Sequence, residues 1–91
     1  MSVTLTLPTV LANLADGQRT LKAEGETLGD VVDQLAARFP RLGPRLRDEQ
    51  GHPYAFVTFY LNDCDIRLRG GFAVEVKDGD EVTVVPAIAG G

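Results

Sequence analysis

Apolar side chains recur along this chain in two rhythms, and the rhythm changes at proline and glycine. Val3, Leu5 and Leu7 alternate with Thr4 and Thr6, the period of two of a half-buried strand, and Pro8 closes the run. Ala15-Asp16-Gly17 is a turn signal, after which Gln18 to Ala23 supplies the second arm of a hairpin with a weaker pattern. The next rhythm is helical. Leu28, Val31, Val32, Leu35, Ala36 and Phe39 fall on one helix face. Thr27 is a good N-cap, Asp30 stands at the capping-box position, and Pro40 stops the helix. Arg41 to Pro53, with Gly43, Pro44 and Gly51 inside it, reads as a loop. Alternation returns at Val57, Phe59 and Leu61. Asn62-Asp63-Cys64-Asp65 then reads as a turn before a short strand at Ile66 to Leu68, and Gly70-Gly71 bends the backbone. Asp78-Gly79-Asp80 is a turn that starts a last strand, Glu81 to Val85, with Val82 and Val84 on one side.

The order is two strands, one helix, then two or three strands. This predicts an α+β fold in which one main helix covers one face of a mixed sheet of four to five strands. The last strand is central if it pairs with the first. That order matches the β-grasp, or ubiquitin-like, architecture.

Composition narrows the function more than the fold. Ninety-one residues make one domain with one modest core, here 44% hydrophobic and without Trp. We read residues 1–86 as that domain and 87–91 as a flexible tail. The net charge of −4, with nine Lys plus Arg, leaves no electrostatic footprint for nucleic acid and suits a basic surface on a partner protein. No apolar run has the length of a membrane span, and Met1-Ser2-Val3-Thr4 does not read as a signal peptide. The single Cys64 forms no internal disulfide, which fits a reducing cytoplasm.

The chemistry concentrates at the C-terminus. Ala89-Gly90-Gly91 follows an apolar strand after only Pro86, Ala87 and Ile88. Two residues without side chains can thread a narrow channel and let another backbone approach closely. They present an α-carboxylate, which is unreactive until activated. Pro86, lacking an N–H, ends ladder pairing and frees the residues beyond it. A solvated tail with no role is the alternative reading.

These residues resemble those of the MoaD/ThiS-type ubiquitin-like sulfur carriers, in particular the branch that serves cysteine biosynthesis in actinobacteria. The resemblance runs through Val3-Thr4, Pro8-Thr9, Thr27-Leu28-Gly29, Leu61-Asn62-Asp63, Arg67 and Gly70-Gly71. It continues through Asp78-Gly79-Asp80-Glu81-Val82-Thr83 to Pro86-Ala87-Ile88-Ala89-Gly90-Gly91. It implies that the Gly91 carboxylate is adenylated by an E1-like enzyme of the MoeB/ThiF type and converted to a thiocarboxylate. Gly90, Ala89, Ile88, Ala87 and Pro86 would then line that partner's channel. ATP would be used by the partner, with no cofactor bound to this chain. Further implied partners are a pyridoxal-phosphate cysteine synthase or another sulfur-incorporating synthase, and a JAMM-type metalloprotease. The carrier end is the same in the thio-sugar, molybdopterin and thiamin branches. A modifier joined to lysines, and a binding module with an inert tail, are the rival classes. An enzyme in its own right is not expected, since no nucleophile–base pair or metal-ligand spacing appears.

Val85 is expected to face away from Val82 and Val84 and to form a docking patch beside the tail. Asp65 is a departure, because molybdopterin-type relatives carry an apolar docking residue at about that position. Cys64 is a persulfide site or a surface thiol; its neighbours Asp63 and Asp65 favour the second. Asn62, Asp63 and Asp65 lack the ligand count of a calcium loop. His52 is a lone surface histidine. Arg41, Arg45 and Arg47 form a local basic cluster, either a solvated loop or a contact for a partner or a phosphorylated ligand.

Overall fold

Pairing decides where the chain's reactive end is rooted. In the computed structural model, which describes residues 2–86, strands β1 (Ser2–Thr6), β2 (Thr20–Glu24), β3 (Val57–Leu61), β4 (Cys64–Asp65) and β5 (Glu81–Pro86) form one mixed sheet in the order β2-β1-β5-β3-β4. The last strand is central, as the sequence predicts. It runs parallel to β1, from Thr4 opposite Glu81 to Thr6 opposite Thr83, and antiparallel to β3, from Leu61 opposite Val82 to Val57 opposite Pro86. This is the β-grasp arrangement.

The alternation read from the sequence sets which side is buried. Val3, Leu5, Leu21, Phe59, Val82 and Val84 point into the core. There they meet Leu28, Val31, Val32 and Leu35 of helix α2 (Leu28–Arg38), and the Phe72 ring packs edge-on to Phe59 at 5.1 Å. Each such aliphatic side chain contributes about 1.5–3 kcal/mol by leaving water, which fixes the register of β5 firmly. Helix α2 begins with a complete capping box. The Asp30 N–H donates to Thr27 Oγ1 at 3.2 Å, and the Thr27 N–H donates to Asp30 Oδ2 at 3.3 Å. Its last turn carries Arg38, and the helix ends just before Phe39 and Pro40.

Three local expectations need correction. The hairpin turn after β3 is only Asn62-Asp63, both with positive φ (47° and 72°), the backbone of a tight two-residue turn. Cys64 and Asp65 then pair with Leu61 and Tyr60 as β4. Second, Ile66–Leu68 is a single 3₁₀ turn rather than a strand. The Asp65 carboxylate accepts the Arg67 N–H at 2.9 Å, and a side-chain acceptor of this kind draws the backbone away from a ladder. Third, the Arg41–Pro53 segment contains a short helix. Among the described residues there are two short helices, α1 (Thr9–Ala12) between β1 and β2, and α3 (Gly43–Leu46) after α2. α3 abuts α2 so closely that a Cβ on Gly43 would lie 2.9 Å from the Ala36 Cβ. Only glycine permits that approach, and it places Arg41, Pro44 and Arg45 at the end of the sheet from which β5 emerges.

Candidate functional site at the root of the tail

The site is built from the end of β5 outward. Val84 is buried under the helix, whereas Val85 faces the other side and is 40% exposed, opposite Thr58 of β3. Pro86 is the last residue of β5 and pairs with Val57. Val85 thus lies on the outward face, and β5 runs one residue past the expected Glu81–Val85 strand, so that Pro86 is its last paired residue. The remaining candidate residues, Ala87, Ile88, Ala89, Gly90 and Gly91, lie outside the described residues.

Beside Pro86 the surface opens into a cleft of about 660 Å³. One wall comes from α1 and the turn after it, through Val10 and Leu14. Tyr54 and Phe56 also line it, and their rings meet edge-on at 5.4 Å. Val10 and Phe56 are 68% and 62% exposed, unusual for large apolar side chains. Arg41 and Arg45 line the same cleft, and among the described residues no acidic one does.

The sequence cluster Arg41, Arg45 and Arg47 is divided by the fold. Arg47 forms an ion pair with Asp33 on α2, while Arg41 and Arg45 turn to the cleft. Sequence reasoning missed Val10, Tyr54 and Phe56. A signal existed for Phe56, since it is out of phase with Val57, Phe59 and Leu61 and so belongs to neither buried set.

The other candidates have structural explanations. Asp65 binds Arg67 through both carboxylate oxygens, with Nη2 to Oδ2 at 2.6 Å and Nε to Oδ1 at 3.1 Å. That hydrogen bonding to Arg67 holds the Asp65 carboxyl below the ordinary value and raises Arg67. An ion pair thus stands where the molybdopterin-type relatives are expected to be apolar. Cys64 is a free, half-buried thiol on β4. The Asn62 side-chain Oδ1 accepts the Glu81 N–H at 2.9 Å and is committed to the fold. Among the described residues no group of three or more His, Cys, Asp or Glu has the spacing to hold a metal ion. His52 is exposed beside Asp48, whose carboxyl is held below the ordinary value mainly by the His52 backbone N–H. Gly70 and Gly71 have φ of 93° and 68°, the expected bend. No helix among the described residues is long and apolar enough to cross a membrane.

A central C-terminal strand, one helix across the sheet and a Gly-Gly end define a small ubiquitin-like protein of the carrier and modifier class. Within that class the chain belongs to the ThiS family, which it matches over residues 5–91. It is 43% identical over 93 aligned residues to the sulfur carrier protein CysO of Mycobacterium tuberculosis, with all of both chains covered. It is also similar to a chain in the crystal structure of the Amycolatopsis orientalis BexX/CysO complex. That likeness has a TM-score of 0.89 and 38% identity, over 98% of this chain and 99% of that one. A third relative, the small archaeal modifier protein 3 of Haloferax volcanii, is 37% identical over 65 residues, 71% of this chain and 70% of its own length. These relatives are carrier and modifier proteins rather than catalysts.

Proposed function

We propose that this chain carries sulfur as a thiocarboxylate on Gly91 and donates it in cysteine biosynthesis. An E1-like partner binds the domain and leads Ala87 to Gly91 to ATP. A Gly91 carboxylate oxygen attacks the α-phosphate, pyrophosphate leaves, and an acyl-adenylate forms. Sulfide then attacks the acyl carbon; the carbon–sulfur bond forms as AMP departs with the bonding electron pair. No electrons change hands overall, so no oxidant or reductant is required. The product is a soft nucleophile tethered to a protein, which raises its effective concentration at the acceptor. A pyridoxal-phosphate cysteine synthase is the acceptor in this reading, and a JAMM-type metalloprotease frees the product. Pro86 aims the tail.

The observation that carries the reading is the full-length similarity to CysO, taken with a chain that ends in Gly-Gly five residues beyond a central strand. The test is the intact mass of the chain after incubation with its activating enzyme, ATP and sulfide. A gain equal to exchanging one oxygen for one sulfur, absent when Gly91 is deleted, is expected. The Haloferax relative favours one second reading, a modifier joined to lysines. That reading predicts isopeptide adducts of this chain in place of the thiocarboxylate.

A further inference from the structure

We infer that the cleft beside Pro86 is the seat of the activating enzyme, which fills it with an apolar side chain flanked by carboxylates. The inference rests on the carrier reading above. Tail length is the first argument. Five residues separate Pro86 from the end of the chain, and an extended chain spans at most about 3.3–3.6 Å per residue. The Gly91 carboxylate therefore stands no more than about 18 Å from the root. An acyl-adenylate must be kept from water, so the enzyme runs the step in a closed site. With so short a lead, the enzyme's surface has to press against the end of the sheet where Pro86 emerges.

The chemistry of that end is the second argument. Val10 and Phe56 are the most exposed large apolar side chains around the root, and both line the cleft. A buried aromatic anchor in a pocket is the usual centre of a binding hot spot. Among the described residues, Arg41 and Arg45 lie in the same lining with no acidic one, and neither is ion-paired with an acid. Two guanidiniums at the edge of an apolar cleft reject a basic surface and accept carboxylates, which they bind in a bidentate fork. The sheet face around Val85 is less suited, since its cross-strand neighbour there is Thr58.

The experiment measures adenylation of the full chain by its activating enzyme, as pyrophosphate exchange against carrier concentration. It compares wild type with Phe56→Ala and with the double variant Arg41→Glu, Arg45→Glu. Both sites are exposed, and circular dichroism checks that the variants fold. We expect KM for the carrier to rise about tenfold or more in each, with kcat changed less than about threefold, as for loss of a docking contact that the reacting end does not share. The charge-reversed variant should also invert the salt dependence of KM, because added salt then screens a repulsion. Unchanged KM in both variants, with wild type active, overturns the docking site and leaves the carrier reading standing. Failure of wild type to be adenylated overturns both. Two results with the chain alone also overturn the site. One is a shift of the Phe56 ring signals on deleting residues 87–91, which assigns the cleft to the chain's own tail. The other is a dimer that Phe56→Ala dissociates, which assigns it to a second copy.

Discussion

The two ends of this sheet are built on opposite plans. At one end the chain is tied by polar groups. The Asp78-Gly79-Asp80 turn receives the Ser2 N–H on Asp78 Oδ1 at 2.9 Å, and the Gly79 N–H returns a bond to the Ser2 carbonyl at 2.8 Å. Asn62 donates to Asp80 Oδ1 and accepts from the Glu81 N–H, both at 2.9 Å. The capping box at Thr27 lies at the same end, where β2 runs out opposite Ser2. At the other end Val10, Phe56 and Pro86 surround an apolar cleft edged by arginine. The closed end secures β5, and the open end is the one the docking proposal assigns to another protein. On that proposal, stability and function are separable along a single strand.

Deleting Gly91 should break the functional end most completely. Thiocarboxylate formation, read by intact mass, is expected to vanish, while the melting temperature shifts by no more than about 1–2 °C, because a chain terminus contributes little to the fold.

The closed end should answer in the opposite way. Asn62→Ala removes the bond to Asp80, strands the Glu81 N–H and puts alanine at positive φ. A loss of about 1–3 kcal/mol in urea unfolding is expected, with kcat for adenylation unchanged. Thr27→Ala should cost about 1 kcal/mol by the same measurement, again without effect on adenylation.

Acid should act on the closed end too. The Asp80 carboxyl is held below 3.8, first by the Asn62 amide and then by the Lys77 N–H. A carboxylate depressed in the fold favours folding above its unfolded value, and the gain disappears as pH falls through the folded value. The stability difference between wild type and Asp80→Asn should therefore shrink as urea midpoints are followed from about pH 4 toward pH 2. Val85→Thr should have the smallest effect, with stability within about 0.5 kcal/mol and KM for adenylation changed less than about threefold. A larger KM change would move docking from the cleft to the sheet face.

The closed end was largely legible in the sequence, and the open end only in part. Val82 and Val84 announce their buried side by alternation, Thr27 and Asp30 announce the cap, and Asp78-Gly79-Asp80 announces its turn. All of these signals are local. The β4 hairpin was misread because Asn-Asp, lacking the glycine of the usual two-residue turns, gives a weak signal, and because the Asp65 carboxylate diverts the next turn of chain. The cleft draws on residues as far apart as Val10, Arg41, Phe56 and Pro86, which only the sheet order brings together. Its one local sign was an aromatic residue out of step with its strand.

The central position of β5 also has a mechanical consequence. A partner that grips the tail pulls along the strand axis. The hydrogen bonds to β1 on one side and to β3 on the other lie across that pull and are loaded together, in shear. An edge strand such as β2 or β4 has a partner on one side only and would peel from it bond by bond. The tail is thus rooted where a pull would be shared by two neighbouring strands, which on the carrier reading lets a partner draw on it without unravelling the domain.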